Sequence, residues 1–181
     1  YIETRKNAIA SANTILEHFE GKPITNYESF SGHTVNIYTW RKFFQINNTF
    51  QELMNSGNLA LISNDSIKDI YLNMETLYKV MKDEEEHFRY DSELLLYEPN
   101  YSMVDLNPVV KVFTYNMSNG TAGERVALPT EQYDTMLKDL KQKNGFVMAV
   151  YELSVMNGQL QEMKQMCQQL IGLIEEELEE E

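Results

Sequence analysis

The side chains best suited to binding a metal belong to the Glu-Glu-Glu-His sequence at residues 84–87. Glu84 and His87 form a Glu-x-x-His pair, which lies on one face of a helix and supplies ligands in di-iron bundles. Such a centre needs a second pair and a glutamate from each of two further helices. His18 and His33, the other two histidines, have no glutamate three residues before them. We therefore predict no metal site and interpret the run as a solvated acidic turn.

The single cysteine, Cys167, stands among apolar residues at helical spacing. A cysteine in that setting is typically a small buried side chain rather than a reactive thiol. One cysteine also forms neither an internal disulfide nor a cysteine-based zinc site. The sequence contains no Gly-x-Ser-x-Gly motif, no glycine-rich phosphate loop and no His-Glu-x-x-His motif. We predict a protein that is not an enzyme and uses no cofactor.

Aromatic residues cluster around Trp40, the only tryptophan of the chain. With Tyr38 and Arg41 it forms the candidate surface for a ligand or a partner, although a contact between helices is the favoured interpretation. A buried polar pocket lined by Arg41, Trp40 or His33 would favour a ligand sensor. A well-packed core with an exposed apolar patch would favour protein binding.

Length and composition set the class of protein. The chain has 181 residues, 43% of them apolar, with 8 Gly and 4 Pro, which predicts a single domain at 1–181 built from long helices. The net charge of −13 argues against nucleic acid as a partner. The acidic tail at 175–181 is expected to be solvated and frayed, because its carboxylates oppose the helix dipole.

Apolar residues recur at steps of three and four and predict an all-α, antiparallel four-helix-type bundle. The predicted long helices cover residues 2–19, 35–55, 66–96 and 146–178. We expect a loop at 21–34 and an end to the third long helix at Pro99. An insertion at about 98–144, irregular or with short helices, precedes the last long helix.

The turn between the second and third long helices contains Gly57. We expect Gly57 in the left-handed conformation that ends many helices. Leu59, Leu61 and Ile62 are then predicted to turn back into the core, with the two helices as antiparallel neighbours.

The insertion is predicted to hold two short helices. One covers 106–117, with Val109, Val110 and Phe113 facing inward. The other begins after Thr130 as its cap and continues to Leu140. We expect Asn144-Gly145 to interrupt the chain before the last long helix.

One stretch resembles a known family. Residues 53–64 match the pattern Leu-x-x-Ser-Gly-x-Leu-x-Leu-Ile-x-Asn, and a helix with spaced tyrosines follows. This pattern is similar to that of uncharacterised single-span membrane-anchored proteins of Bacteroidota. The resemblance covers mainly residues 50–80 and 145–178, and residues 167–178 resemble the ending of that family. The resemblance implies a membrane span before Tyr1, in the inner membrane, with this domain in the periplasm. It implies no catalytic or ligand-binding residues.

Two hypotheses for function follow. The first is a non-enzymatic periplasmic interaction or scaffold module of a membrane-anchored protein, with an unknown protein partner or self-association. The alternative is a sensory helical bundle that binds a small ligand between helices, near Trp40 and the insertion at 98–130.

Overall fold

The computed structural model describes residues 1–180, with side chains to residue 179, and the chain is all-α over that part, with no strand. This confirms the predicted fold class, while the four-helix arrangement stays a prediction. The helices are α1 (Ile2–Phe19), α2 (Tyr27–Tyr38), α3 (Asn48–Asn55), α4 (Asp65–Ser92), α5 (Glu98–Met103), α6 (Leu106–Met117), α7 (Thr130–Met136) and α8 (Leu140–Glu180). No helix within residues 1–180 is both long enough and apolar enough to cross a membrane.

The residues group into two compact units. The first unit contains Tyr1–Ile2, Arg41–Glu86 and the residues from Val155 onward. The second unit contains Glu3–Trp40 and His87–Ser154.

The core of the first unit is formed by the predicted apolar stripes of α4 and α8. Its buried members are Ile67, Met74, Met81, Leu160, Met163 and Leu170. Residues seven apart along a helix lie on one face, which explains why 67, 74 and 81 are buried together. Further along α8 the stripe reaches the surface, and Leu178 is exposed. The helix nevertheless continues through Glu180 where we expected a frayed end, and Ser63 and Asn64 donate hydrogen bonds to the Glu177 carboxylate.

The predicted second helix, 35–55, is wrong in its middle. Helix α2 ends at Tyr38, residues 40–47 have no regular secondary structure, and α3 begins at Asn48. Side chains of α4 replace the lost helical hydrogen bonds. The Phe43 N–H donates to the Glu85 carboxylate at 2.7 Å, and Lys82 Nζ donates to the Phe43 carbonyl. This buried carboxylate partner explains an irregular segment that the apolar spacing does not predict.

The predicted loop at 21–34 is also wrong in its second half, because α2 begins at Tyr27. The Asn26 side chain accepts a hydrogen bond from the Ser29 N–H at 2.9 Å. An asparagine in this position caps a helix, since it satisfies one of the first free backbone N–H groups.

The turn after α3 has the left-handed glycine, with Gly57 at φ +77° and ψ +3°. A 3₁₀ turn, Asn58–Leu61, follows it. Leu59 is half-buried and Ile62 packs against the core of the first unit, but Leu61 is 78% exposed, so its predicted burial is wrong. With three residues per turn, positions 59 and 62 share a face that excludes position 61.

Two predicted breaks in the second unit are wrong. Pro99 does not end the helical path, because a π-helical turn, Glu93–Tyr97, follows α4 and leads directly into α5. Pro99 lies in the first turn of α5, directly after the π-helical turn, and is buried. Gly145 lies inside α8 rather than before it, and a Cβ there would stand 2.5 Å from Leu96 Cδ2. The glycine therefore serves close packing.

The helix after residue 129 also differs from its prediction. Thr130 is the first residue of α7 and makes no capping bond, and Pro129 occupies the cap position. The helix ends at Met136 rather than Leu140, and Leu140 already begins α8.

The core of the second unit is rich in aromatic rings. Fully buried Phe30, Phe88 and Phe146 are its largest side chains. Buried polar residues accompany them: Arg5, Ser11, Ser31, Thr34, Ser92, Gln142 and Glu152.

Candidate ligand-binding cleft and metal-ligating cluster

An open cleft of about 450 Å³ lies within the second unit. Residues of α2, the π-helical turn, α5, α6 and α7 line it, and the described residues at its wall include no charged side chain. They are Thr34, Val35, Tyr38, Thr39, Tyr97, Asn100, Tyr101, Val104, Leu106, Val109, Val110, Phe113, Thr114, Tyr133 and Met136. Ligand pockets of proteins are typically roughly 300–1,000 Å³ and mostly apolar, with a few polar groups. The cleft has both properties.

Helix α6 forms one wall of the cleft. The predicted inward residues Val109, Val110 and Phe113 line it, although Val110 is still 56% exposed because the cleft is open. The Asp105 side chain caps α6 by accepting a hydrogen bond from the Asn107 N–H at 3.0 Å. These inward residues therefore face a cavity rather than a filled core.

Tyr38 and Tyr97 are held by hydrogen bonds from their hydroxyl groups to backbone carbonyls and by a contact between their rings. The Tyr97 hydroxyl donates to the Tyr38 carbonyl at 2.6 Å, and the two rings meet edge to face at 5.0 Å. The Tyr38 hydroxyl donates to the Leu96 carbonyl at 3.4 Å. The same carbonyl accepts a second hydrogen bond from Gln142 Nε2 at 2.9 Å. Burial raises the pKa of Tyr38 and of Tyr97, so both phenols stay protonated at neutral pH.

The Tyr133 hydroxyl is a buried polar group without a well-aligned hydrogen bond. The residue is 3% exposed, and its ring meets Phe30 edge to face at 5.3 Å. Its hydroxyl oxygen is buried and forms no hydrogen bond of acceptable geometry with the protein. Burial raises the pKa of Tyr133, and the nearby Ser31 side chain offsets part of that effect. A buried hydroxyl left unbonded is destabilising. Because this oxygen is closed to solvent, a ligand in the open cleft does not reach it in this conformation.

Of the three residues predicted for a ligand surface, only Tyr38 lines the cleft. Trp40 packs edge to face on Phe88 at 5.0 Å, in the second unit. Arg41 is exposed and belongs to the first unit, and neither it nor Trp40 lines the cleft. His33 contacts Ser11 Oγ through Nδ1 at 3.1 Å. None of Arg41, Trp40 and His33 lines the apolar, tyrosine-lined cleft.

The sequence interpretation missed the three other tyrosines of the cleft. Tyr97 and Tyr101 are four residues apart, a spacing that places both on one face of a helix, and their ring centres lie 6.3 Å apart. That spacing is the sequence signal that could have identified these two tyrosines. No local pattern marks Tyr133.

The acidic run at 84–87 is not uniformly solvated. Glu85 is 1% exposed and bonds to Lys82 and to the Phe43 N–H, in the first unit. His87, in the second unit, points its Nδ1 at Glu152 Oε1, 2.9 Å away. The interpretation as a solvated turn is therefore wrong at Glu85, whereas the His87 side chain is 60% exposed.

His87, Asp91 and Glu152 form a cluster of three metal-ligating side chains. One ligand atom of each lies within 4.8 Å of the others. Glu84, the predicted companion of His87, is not among them.

The first unit has a shallower groove of about 740 Å³ beside the irregular segment 40–47. Two large apolar side chains of that segment point to solvent, Phe44 at 68% and Ile46 at 90% exposure. Phe50 and Tyr71 also line the groove, and their rings stack with centres 4.2 Å apart. This groove and segment form an exposed apolar surface of the first unit.

Comparisons with known proteins add no relative: no family model matches the chain, and no curated protein or solved structure is significantly similar to it.

Proposed function

We propose that this protein is a non-enzymatic binding domain that holds an uncharged, largely apolar small molecule in the cleft of its second unit. The observation that carries the proposal is the cleft itself: about 450 Å³ of space whose described lining has no charged residue. An ion placed there would lose its hydration without gaining an opposite charge, which is strongly unfavourable. A neutral molecule avoids this cost.

The polar groups of the cleft indicate what the ligand should carry. Asn100 lies at the wall and is only half-buried, so its side-chain amide is the polar group that a ligand can reach. Tyr38, Tyr97, Tyr101 and Phe113 present rings to the same space. Aromatic walls stabilise flat apolar groups by edge and face contacts. The expected ligand is a ring-containing neutral molecule with one hydrogen-bonding group.

The proposal excludes catalysis in the cleft. Among its described lining residues there is no histidine, cysteine, lysine or carboxylate, so no nucleophile is paired with a general base. Phenols whose pKa is raised by burial are poor bases at neutral pH.

A direct test uses Nile red, an uncharged fluorescent dye, as the probe. The purified chain should bind it with saturable enhancement of fluorescence. Val110→Trp would place a large ring in the cleft from an exposed position, so it should weaken dye binding at least about tenfold while leaving the fold intact. Native mass spectrometry of the protein purified from its host should show a retained small molecule.

Val147→Trp is the matched control, because Val147 is 45% exposed, lies on α8 and does not line the cleft. It should bind the dye as the natural chain does. Equal dye binding by both tryptophan variants would contradict the proposal.

A second candidate function is protein binding by the first unit, favoured by the exposure of Phe44 and Ile46. The occupant we propose for its groove is an amphipathic segment of another protein with a basic polar face. The net charge of −13 supports a partner of opposite charge, because charge complementarity speeds association.

Crosslinking of the full-length protein in its host tests this candidate. A basic partner should be captured by the natural chain and by Val110→Trp, but not by the double variant Phe44→Ser, Ile46→Ser. Capture that persists in the double variant would exclude this groove. A crosslinked second copy of the chain would replace the proposed partner with self-association.

The resemblance at residues 53–64 and 167–178 supports a further part of the proposal, a membrane-anchored protein with this domain in the periplasm. Fractionation of the full-length protein in its host tests it. Recovery in the inner membrane, with the domain digested by protease in spheroplasts, is the expected result. Recovery in the cytosol would remove this part and leave the cleft unaffected.

A further inference from the structure

We infer that His87, Asp91 and Glu152 bind a divalent transition-metal ion of the zinc type. The inference rests on side chains that do not line the cleft, so it stands independently of the proposed ligand.

Two helices bring the three ligands together. His87 and Asp91 are four residues apart on α4, which puts both on one face one turn apart. Glu152 reaches them from α8, with its Oε1 2.9 Å from His87 Nδ1. Ligands on regular helices hold their positions better than ligands on loops.

The ligand set selects the kind of ion. Zinc binds histidine nitrogen and carboxylate oxygen together, and three protein ligands leave a fourth position for water. Magnesium and calcium prefer oxygen ligands alone and need more of them. One imidazole with two carboxylates therefore favours zinc, and cobalt as its spectroscopic substitute.

The distances are compatible with an ion after small side-chain rotations. Metal–ligand bonds of about 2.0–2.2 Å in a tetrahedral zinc site separate the ligand atoms by roughly 3.3 Å. The cluster has its ligand atoms within 4.8 Å of one another. Its closest pair, His87 Nδ1 and Glu152 Oε1, is separated by 2.9 Å and must open slightly so that both atoms face the ion. The neutral imidazole is the binding form, so any proton on Nδ1 is released.

Burial differs among the three ligands in a way that suits ion entry. The Glu152 side chain is 3% exposed, whereas the His87 side chain is 60% exposed. Asp91 is half-buried. The ion would thus enter from solvent past His87 and reach a carboxylate fixed by its surroundings.

Calorimetric titration of the full chain with zinc chloride, after removal of metals by a chelator, tests the inference. Excess magnesium and calcium in the buffer will occupy nonspecific carboxylates such as those of the acidic tail. We expect one equivalent of zinc. His87→Ala and Asp91→Asn should each weaken binding by roughly tenfold or more, since removing even an outer partner of a ligand costs about that much.

His18→Ala and Asp83→Asn are matched controls that change a histidine and an α4 aspartate outside the cluster. They should bind zinc as the natural chain does. Circular dichroism without metal shows that each variant is folded, and cobalt should give the visible absorption bands of a tetrahedral site. Binding that is absent, that exceeds one site with no saturation, or that survives in both His87→Ala and Asp91→Asn would overturn the inference.

Discussion

The two units bury different kinds of side chain. The core of the first unit is a regular seam of aliphatic and methionine side chains, with Met74, Leu160 and Met163 in one cluster. The second unit buries phenylalanine rings together with polar groups such as Gln142 and Glu152. Flexible methionines fill irregular gaps, whereas rigid rings meet edge to face and fit fewer shapes. The seam is thus suited to stability, and the aromatic unit leaves a cleft for a ligand.

The largest effect should come from a truncation in the seam. Leu160 is 5% exposed in the core of the first unit, so Leu160→Ala should lower the free energy of unfolding by about 2–5 kcal/mol. Ile171→Ala is the control on the same helix, because Ile171 is 55% exposed. Urea unfolding followed by circular dichroism measures both. A loss below about 0.5 kcal/mol for Leu160→Ala would mean that the seam does not hold the first unit.

Two glycines of α8 should respond in opposite directions. At Gly145, in the second unit, a Cβ would lie 2.5 Å from Leu96 Cδ2 and 2.9 Å from Leu96 Cγ. The added Cβ would overpack against a buried leucine, while the better helix propensity of alanine offsets part of that cost. We therefore expect Gly145→Ala to lower the free energy of unfolding by about 1–2 kcal/mol. At Gly158, in the first unit, nothing lies within 4 Å, so Gly158→Ala should raise the stability by up to about 1 kcal/mol.

Thermal unfolding of the two alanine variants measures the contrast. Equal stabilisation by both would show that the second unit tolerates added volume at Gly145, and that the close approach of Leu96 is not a constraint.

The turn of the first unit should depend on the conformation of Gly57. Its φ of +77° is unfavourable for alanine, and no neighbouring atom lies within 4 Å of the position of a Cβ. Gly57→Ala should therefore cost about 1 kcal/mol through backbone strain alone. Gly57→Asn should cost less, because asparagine tolerates the left-handed region. A midpoint of thermal unfolding unchanged in Gly57→Ala would refute this account of the turn.

The sequence predicts best what repeats locally. Positions 67, 74 and 81 follow a helical period, so their burial was predictable from spacing alone. The irregular segment at Phe43 was not, because it depends on Glu85, a carboxylate 42 residues away that bonds to its backbone. Asn144-Gly145 predicts a break in the helix, whereas Gly145 packs against Leu96, which is also remote in sequence.

The cleft was predictable only in part for the same reason. Tyr38 and the inward face of α6 are visible in local spacing, and both line the cleft. Tyr133 joins them only when α7 is placed against the rest of the second unit. An internal cavity is a property of how elements leave space between them, and no pattern within one element encodes it.

The smallest effect should come from removing a single hydroxyl at the cleft. The buried Tyr133 hydroxyl has no hydrogen bond of acceptable geometry, so Tyr133→Phe should change the free energy of unfolding by less than about 0.5 kcal/mol, or raise it. Tyr97→Phe removes the 2.6 Å bond to the Tyr38 carbonyl and should cost about 1 kcal/mol. Urea unfolding of both variants separates a hydroxyl that stabilises the fold from one that the fold does not use. A cost for Tyr133→Phe equal to that for Tyr97→Phe would mean that the Tyr133 hydroxyl already stabilises the fold through Ser31.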